Sequence, residues 1–594
     1  MKTLSSLLLL IAIPFLLLTL PPKLYAQQKV RYSSEVENRI KQVETNLSGA
    51  VQLEGQEKWN IKDRMTFYKV PGVTIAVVRD YKIDWAQGYG WADATEKREV
   101  TSETLFQAAS ISKSLNAVGI LKLAQENKLD LKTDINTYLK SWKFPYDSLS
   151  KNKKVTLSNL LSHTAGLSVH GFRGYAKGEA IPTIIQILNG ETPANNAPIR
   201  SQFEPDMRVQ YSGGGTTISQ LIAMDVTGLS YDQYMQKNVL KPMGMTTSFY
   251  GQPAGDNKIS SLLATGYQED GKEVTGKYHI YPEQAAASLW TNPTELSRYI
   301  IETQLSLQGK SSKVLSQAFT KTRLTPYKDP AALGVFIDTK GKEKYFQHGG
   351  ANEGFRCQYF GSMENGNGVV VMVNSDNGAI IGEIINSVAS VYQWSDFYKA
   401  DVKKVTLLSQ EQLKAFEGYY ASKENKNTYI KFSTKEGQLA LTQLWDGREI
   451  LFSPESEVDF FCKEFPFPLK FTKDKNGAVT EVLAFNRDVW ERDNNYKPVV
   501  RKAITLTPAQ LKIFEGKYQL QQNKALIVQI TAMEDHLFVK QLWDGKELLF
   551  VPESELDFFA KDNPLFPIRF IKDKDGAITQ IIAFERDLLD KVKD

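Results

Sequence analysis

Three serines in the chain are followed three residues later by a lysine: Ser110 with Lys113, Ser148 with Lys151 and Ser150 with Lys153. A serine hydroxyl is a weak nucleophile until a neighbouring base takes its proton, and at this spacing on a helix the two side chains share a face. Such a pair can attack a carbonyl carbon and form an acyl-enzyme. The two later pairs lie in the polar stretch DSLSKNKK, whereas Ser110 stands where TLFQAA runs into a helical pattern. Taken alone, the plainer reading is a helix N-cap at Ser110 and a solvated lysine at 113. Other chemistries are poorly supplied: there is no Gly-x-Ser-x-Gly elbow and no complete phosphate-binding Gly-x-x-x-x-Gly-Lys-Ser/Thr loop. The five histidines show no His-Glu-x-x-His spacing and no pairing with cysteine, so no metal and no cofactor is expected.

Those residues need elements to hold them. A helix over about 111–126 would place Leu115, Val118 and Leu121 on one face with Leu123 beside it, and would set Ser110 at the positive end of its dipole. Apolar runs at 73–79 and 369–374 read as strands. Only Asp80 and Tyr81 separate the first from a second strand-like run at 82–89, so the sheet starts as a hairpin and is expected to be antiparallel. Residues 35–395 therefore read as an α/β unit, an antiparallel sheet flanked by helices.

The segment GYGWADATEKREVTSETLFQAASISKSLNAVGILKL (88–123) resembles the nucleophile region of class C serine β-lactamases and their relatives, the penicillin-binding DD-peptidases, esterases and D-aminopeptidases. Three more stretches follow in that family's order: NLLSHTAGL (159–167), YSGGGTTISQLI (211–222) and QHGGANEGF (347–355). The resemblance covers about residues 60–395 and implies a β-lactamase/DD-peptidase-like fold with an acyl-enzyme mechanism. It implies Ser110 as nucleophile, Lys113 as its activating partner, Tyr211 as the phenol that relays protons, and His348 on the strand bordering the cleft. Backbone N–H groups of Ser110 and Ala351 would form the oxyanion hole. Gly213, Gly349 and Gly350 would border the substrate, and His163 would fix a loop. Whether Lys113 or Tyr211 is the base stays open.

An ammonium about 4 Å from a phenol is worth about 4 kcal/mol at an effective dielectric near 20, enough to bring Tyr211 toward neutrality from its ordinary value near 10. Two departures from the family pattern bear on substrate. Gly213 stands where the family has an asparagine that contacts the acyl side, and His348-Gly349-Gly350 replaces Lys-Thr-Gly, removing a cation and a hydroxyl that grip a carboxylate. Neutral imidazole would offer one donor in place of that charge. Protonation of His348 on lowering the pH through about 6.5 would then favour anionic substrates.

Of the 594 residues, 42% are hydrophobic and 24% charged, which suits large globular cores. The net charge of +4 comes without a basic run, which argues against nucleic acid as a partner. Lys2, the apolar run 7–20 interrupted by Pro14, and Leu24-Tyr25-Ala26 read as a signal peptide. The run falls short of the roughly 20 residues a spanning helix needs. The expected destination is the periplasm or the exterior, without a stable membrane span. Two cysteines, Cys357 and Cys462, cannot form a disulfide framework, and a single bridge between them is left open.

Near the C-terminus the sequence repeats itself. QLWDG recurs 98 residues on, LKAFEGYY returns as LKIFEGKY and SPESEVDFF as VPESELDFF, and KDKNGAVTEVLAF returns as KDKDGAITQIIAF. Alternating segments separated by Asp446-Gly447 and Asn476-Gly477 read as hairpins of a small antiparallel barrel, present twice. The expected layout is a signal peptide at 1–26, the hydrolase-like domain at 27–400 and barrel repeats at 401–495 and 496–594, with linkers at 399–405 and 491–503. The arrangement is similar to that of D-aminopeptidases. The leading expectation is an exported serine hydrolase that acts on amides or esters in small-molecule or peptide substrates, with weak β-lactam turnover at most. The alternative is a penicillin-binding-like protein that holds peptidoglycan or peptides without turnover. Oligomeric state is not legible.

Overall fold

Seven strands form the central sheet: β1 (Gly72–Arg79), β2 (Lys82–Asp93), β3 (Arg98–Glu99), β4 (Phe336–Lys340), β5 (Glu343–Asn352), β6 (Phe355–Ser362) and β7 (Gly368–Val373), in the spatial order β3-β2-β1-β7-β6-β5-β4. This is a computed structural model that describes residues 31–592 except 254–256, 427, 446, 499, 522–525, 543–546 and 585. The expected signal peptide lies outside the described residues. Every paired neighbour in the sheet is antiparallel. The β1–β2 hairpin turns at Asp80 and Tyr81, both at positive φ (50° and 62°), the backbone twist that tight hairpins need.

β7 reads as an unbroken apolar run and β1 as one interrupted only by Thr74 before its terminal Arg79, because both faces of the sheet are covered. On one face lie α1 (Ser34–Thr45) and the C-terminal helix of the unit, whose Ile380, Ile384 and Val388 are fully buried against Val73, Ile75 and Val371. On the other face a larger core gathers the helix Ser112–Gln125, here α2, with α3 (Gly213–Thr227), α4 (Gln284–Ala287) and α5 (Pro293–Leu307); the C-terminal helix Ala379–Val391 is α6. The one-sided face expected for α2 is corrected: from Ser112 to Leu121 every residue is buried. α2 is the centre of the helical layer, packed by α3 and α4, so even its serines and Asn116 are interior and must find partners, as Asn116 does in Ser219 and Tyr231.

Two closed barrels of eight antiparallel strands follow, the first from Gly418–Ser422 to Asp488–Arg492 and the second from Gly516–Leu520 to Asp587–Lys591. Inward residues fill them. A short helix closes one end of each, Gln410–Lys414 with Leu413 and Phe416, and Pro508–Lys512 with Leu511 and Phe514. Asn476-Gly477 is not a two-residue turn, however. The loop runs from 474 to 478, with only Gly477 at positive φ, because the Asp474 carboxylate accepts from the N–H groups of Asn476 and Ala478 and closes a longer turn. The expected linkers are also shorter: Asp401–Lys403 pairs in parallel with Val51–Leu53, and residues 491 and 492 belong to the last strand of the first barrel. Cys357 and Cys462 are both free and buried. Among the described residues, no helix is long and apolar enough to cross a membrane.

Candidate active site

Ser110 sits in the single 3-10 turn Ala109–Ile111 that leads into α2. Ala109 holds φ of +47°, a left-handed conformation that costs an L-residue roughly 1–2 kcal/mol. The flanking backbone over-determines it: Ala108 donates to Leu289 O at 2.7 Å, and β5 crosses so close that a Cβ on Gly350 would lie 2.4 Å from Ala108 O. Glycine at 350 is therefore a condition for β5 to approach the nucleophile. β4 pairs with β5 only as far as Phe336 opposite Gln347, so among the described residues the edge of β5 from His348 to Ala351 has no strand partner on that side. The turn carrying Ser110 packs there.

Lys113 is 3% exposed, and its Nζ lies 3.0 Å from Ser110 Oγ and 2.7 Å from Ala286 O in α4. Burial lowers its pKa to about 7, so a large fraction is neutral amine at physiological pH. The lysine also stands over the face of the Tyr211 ring, 4.9 Å from the centroid. Tyr211 does not behave as expected from an adjacent ammonium. Burial pushes its pKa above the ordinary phenol range, and a hydrogen bond with Ser110 only partly offsets this. At neutral pH the phenol keeps its proton while Lys113 is partly deprotonated.

His348 on β5 is 3% exposed and borders the same cleft. Its Nδ1 is 2.6 Å from Gly349 O. A carbonyl only accepts, so Nδ1 carries the proton, and Nε2, buried and without a partner, is a bare acceptor. Burial, with Lys113 nearby, lowers the His348 pKa to about 3. Two expectations are thereby corrected: the imidazole offers an acceptor rather than a donor, and it stays neutral through pH 6.5.

The cleft has a volume of about 940 Å3, and Ser110, Tyr211, His348, Gly349, Gly350 and Ala351 all line it. Gly213 does not. It is buried at the start of α3, where an added Cβ would meet Phe172 at 2.9 Å and His170 O at 3.2 Å. The segment 168–172 occupies that space because its carbonyls cap α3: Gly213 N donates to His170 O and Gly214 N to Val169 O, both at 3.0 Å. The missing asparagine is thus replaced by a loop that brings His170 to the cleft, its ring centroid 4.9 Å from that of Tyr211. His163 packs on Tyr211 at 4.3 Å and accepts from Ser212 N through Nδ1, with its pKa held well below the usual range by burial.

Sequence reasoning did not single out His170, Phe336, Ala286 or Glu283. Ala286 contributes only a carbonyl, which no side-chain pattern reveals. Glu283, at the start of α4, is fully buried with neither carboxyl oxygen hydrogen-bonded to another of the described residues, and burial, partly offset by its own backbone N–H, pushes its pKa up to about 8. Among the described residues, no cluster of three or more His, Cys, Asp or Glu side chains is arranged to hold a metal ion.

The Beta-lactamase family model matches residues 59–383, more than half of the chain. Protein flp of Staphylococcus aureus (strain N315) is 26% identical over 309 residues, which cover 51% of this chain and 60% of that protein. Penicillin-binding protein 4* of Bacillus subtilis (strain 168) is 22% identical over 69% of this chain and 92% of its own length. Among solved structures, the octameric penicillin-binding protein homologue from Pyrococcus abyssi superposes with a TM-score of 0.51 at 20% identity, covering 73% of this chain and 98% of that one.

Proposed function

We propose that this chain, which belongs to the Beta-lactamase family of serine hydrolases, forms an acyl-enzyme on Ser110 and cleaves amides or esters that carry no carboxylate beside the scissile bond. The observation that carries this reading is the buried Lys113 amine, 3.0 Å from Ser110 Oγ and near half-protonation at neutral pH. Neutral Lys113 accepts the Ser110 proton as Oγ bonds to the substrate carbonyl carbon. The oxyanion develops against the N–H groups of Ser110 and Ala351, the latter on the stretch of β5 beyond its pairing with β4. Collapse expels the alcohol or amine, which takes a proton delivered from Lys113 through the Tyr211 hydroxyl. A water then repeats the sequence against the acyl-enzyme, with the same groups moving its proton.

Substrate selection is read from His348. It borders the cleft as a neutral imidazole, so it offers no cation to grip a substrate carboxylate. D-amino acid amides, small peptides and neutral esters fit this arrangement better than penicillins. The apolar run at 7–20 supports export of the enzyme. Turnover across D-amino acid amides, neutral esters and β-lactams, each with Ser110→Ala as control, tests the reading. Activity on the first two classes that vanishes in the variant is expected. Retained binding without turnover on any of them would instead support a protein that holds its ligand.

A further inference from the structure

The cleft does not end at the nucleophile. Strand alternation puts Phe346 and His348 on the face of the sheet that carries the helical core, and Tyr345, Gln347, Gly349 and Ala351 on the α6 face. The same cleft that holds Ser110 and Tyr211 passes the unpaired edge of β5 and continues across that α6 face, where Phe360, Ile381, Ile385 and Phe397 line it. The polar side chains along this stretch have partners: Gln358 Nε2 donates to Gln347 Oε1 at 2.8 Å, Asn386 Nδ2 donates to Ser48 O at 2.9 Å, and the two cations of the lining, Lys340 and Arg356, pair with Asp338 and Asp376. Among the described residues, no acidic side chain lines the cleft.

We propose, resting on the acyl-enzyme reading above, that this extension is a substrate subsite that takes an uncharged apolar chain attached to the scissile bond. Continuity with Ser110 is the argument for a substrate occupant: a chain leaving the reacting carbonyl over the Gly349–Ala351 edge has this groove as its next surface. Burying each further methylene there raises kcat/KM by about two- to fourfold until the groove is full. Gly382 supplies a test that spares the fold. It lines the groove on α6, its φ is not in the left-handed region, and an added Cβ meets nothing within 4 Å, so a side chain at 382 fills the groove without strain.

Two substrate series separate which side of the bond uses the groove: p-nitrophenyl esters from acetate to dodecanoate vary the acyl group, and D-alanine esters from methyl to octyl vary the leaving group. In one series, wild-type kcat/KM is expected to climb with chain length. Gly382→Phe is expected to lower the longest member at least tenfold while leaving the shortest within twofold. Binding of decanamide to Ser110→Ala, measured calorimetrically, reads the subsite without catalysis, and adding Gly382→Phe is expected to weaken it at least fivefold. Failure to hydrolyse even the short esters would defeat the acyl-enzyme reading alone. A flat chain-length profile in both series, or gains and decanamide binding untouched by Gly382→Phe, would overturn the subsite.

Discussion

The Lys113 amine stands over the Tyr211 ring, 4.9 Å from its centroid, and 3.0 Å from Ser110 Oγ. Burial lowers the amine to about 7 and raises the phenol, so at neutral pH part of the lysine is neutral amine while the tyrosine keeps its proton.

The first consequence is a pH profile. The kcat/KM for an uncharged ester should rise with pH through an apparent pKa near 7 as Lys113 loses its proton, then level off. Because the folded-state value lies below that of the unfolded chain, Lys113 adds stability at high pH that is lost as the pH falls from about 10 toward 7. Lys113→Met should therefore abolish turnover and yet raise Tm at pH 6 by at least about 2–4 °C, with the difference fading near pH 10.5. A lower Tm for the variant at pH 6 would mean the lysine is held as a stabilising cation.

The pair should also act as a unit. Lys113→Ala and Tyr211→Phe should each reduce kcat by about 10²-fold or more, with the double variant falling far short of the product of the two losses. Fully multiplicative losses in steady-state assays would show independent roles.

His348 sets a third expectation, and it departs from what the sequence suggested. With its pKa near 3 and Nδ1 committed to Gly349 O, the ratio of kcat/KM for a neutral ester to that for its carboxylate analogue should not change between pH 8 and pH 6. A ratio that narrows across this interval would show that the imidazole protonates there and meets the carboxylate.

The elements that carry strong periodic or motif signals were legible in the sequence: the β1–β2 hairpin, the Ser110–Lys113 pair and the duplicated barrels. Where long-range packing decides, the sequence was mute. α2 looked one-sided because Lys113, Ser114 and Asn116 read as polar, yet all three are interior. Gly213 looked like a lost contact, whereas it is the space into which the 168–172 loop folds. The Tyr211 and His348 expectations failed because burial, invisible in sequence, dominates both: it outweighs the Ser110 hydrogen bond at Tyr211 and acts together with the nearby Lys113 at His348.

Glu283 offers a fourth test. Its folded-state value near 8 lies above the ordinary carboxylate range, so the native state holds a proton that the unfolded chain releases, and stability falls as pH rises from about 4.5 to 8. Glu283→Gln should match wild type in Tm at pH 4.5 and exceed it increasingly up to pH 8. Equal melting curves at every pH would mean that the ionised carboxylate finds a partner.

The central claim is covalent chemistry at Ser110, and intact-mass measurement after exposure to a serine-directed fluorophosphonate tests it most directly. One adduct per chain is expected, located to Ser110 by peptide mapping and absent in Ser110→Ala. An unmodified wild-type protein, or an adduct that persists in the variant, would contradict the account.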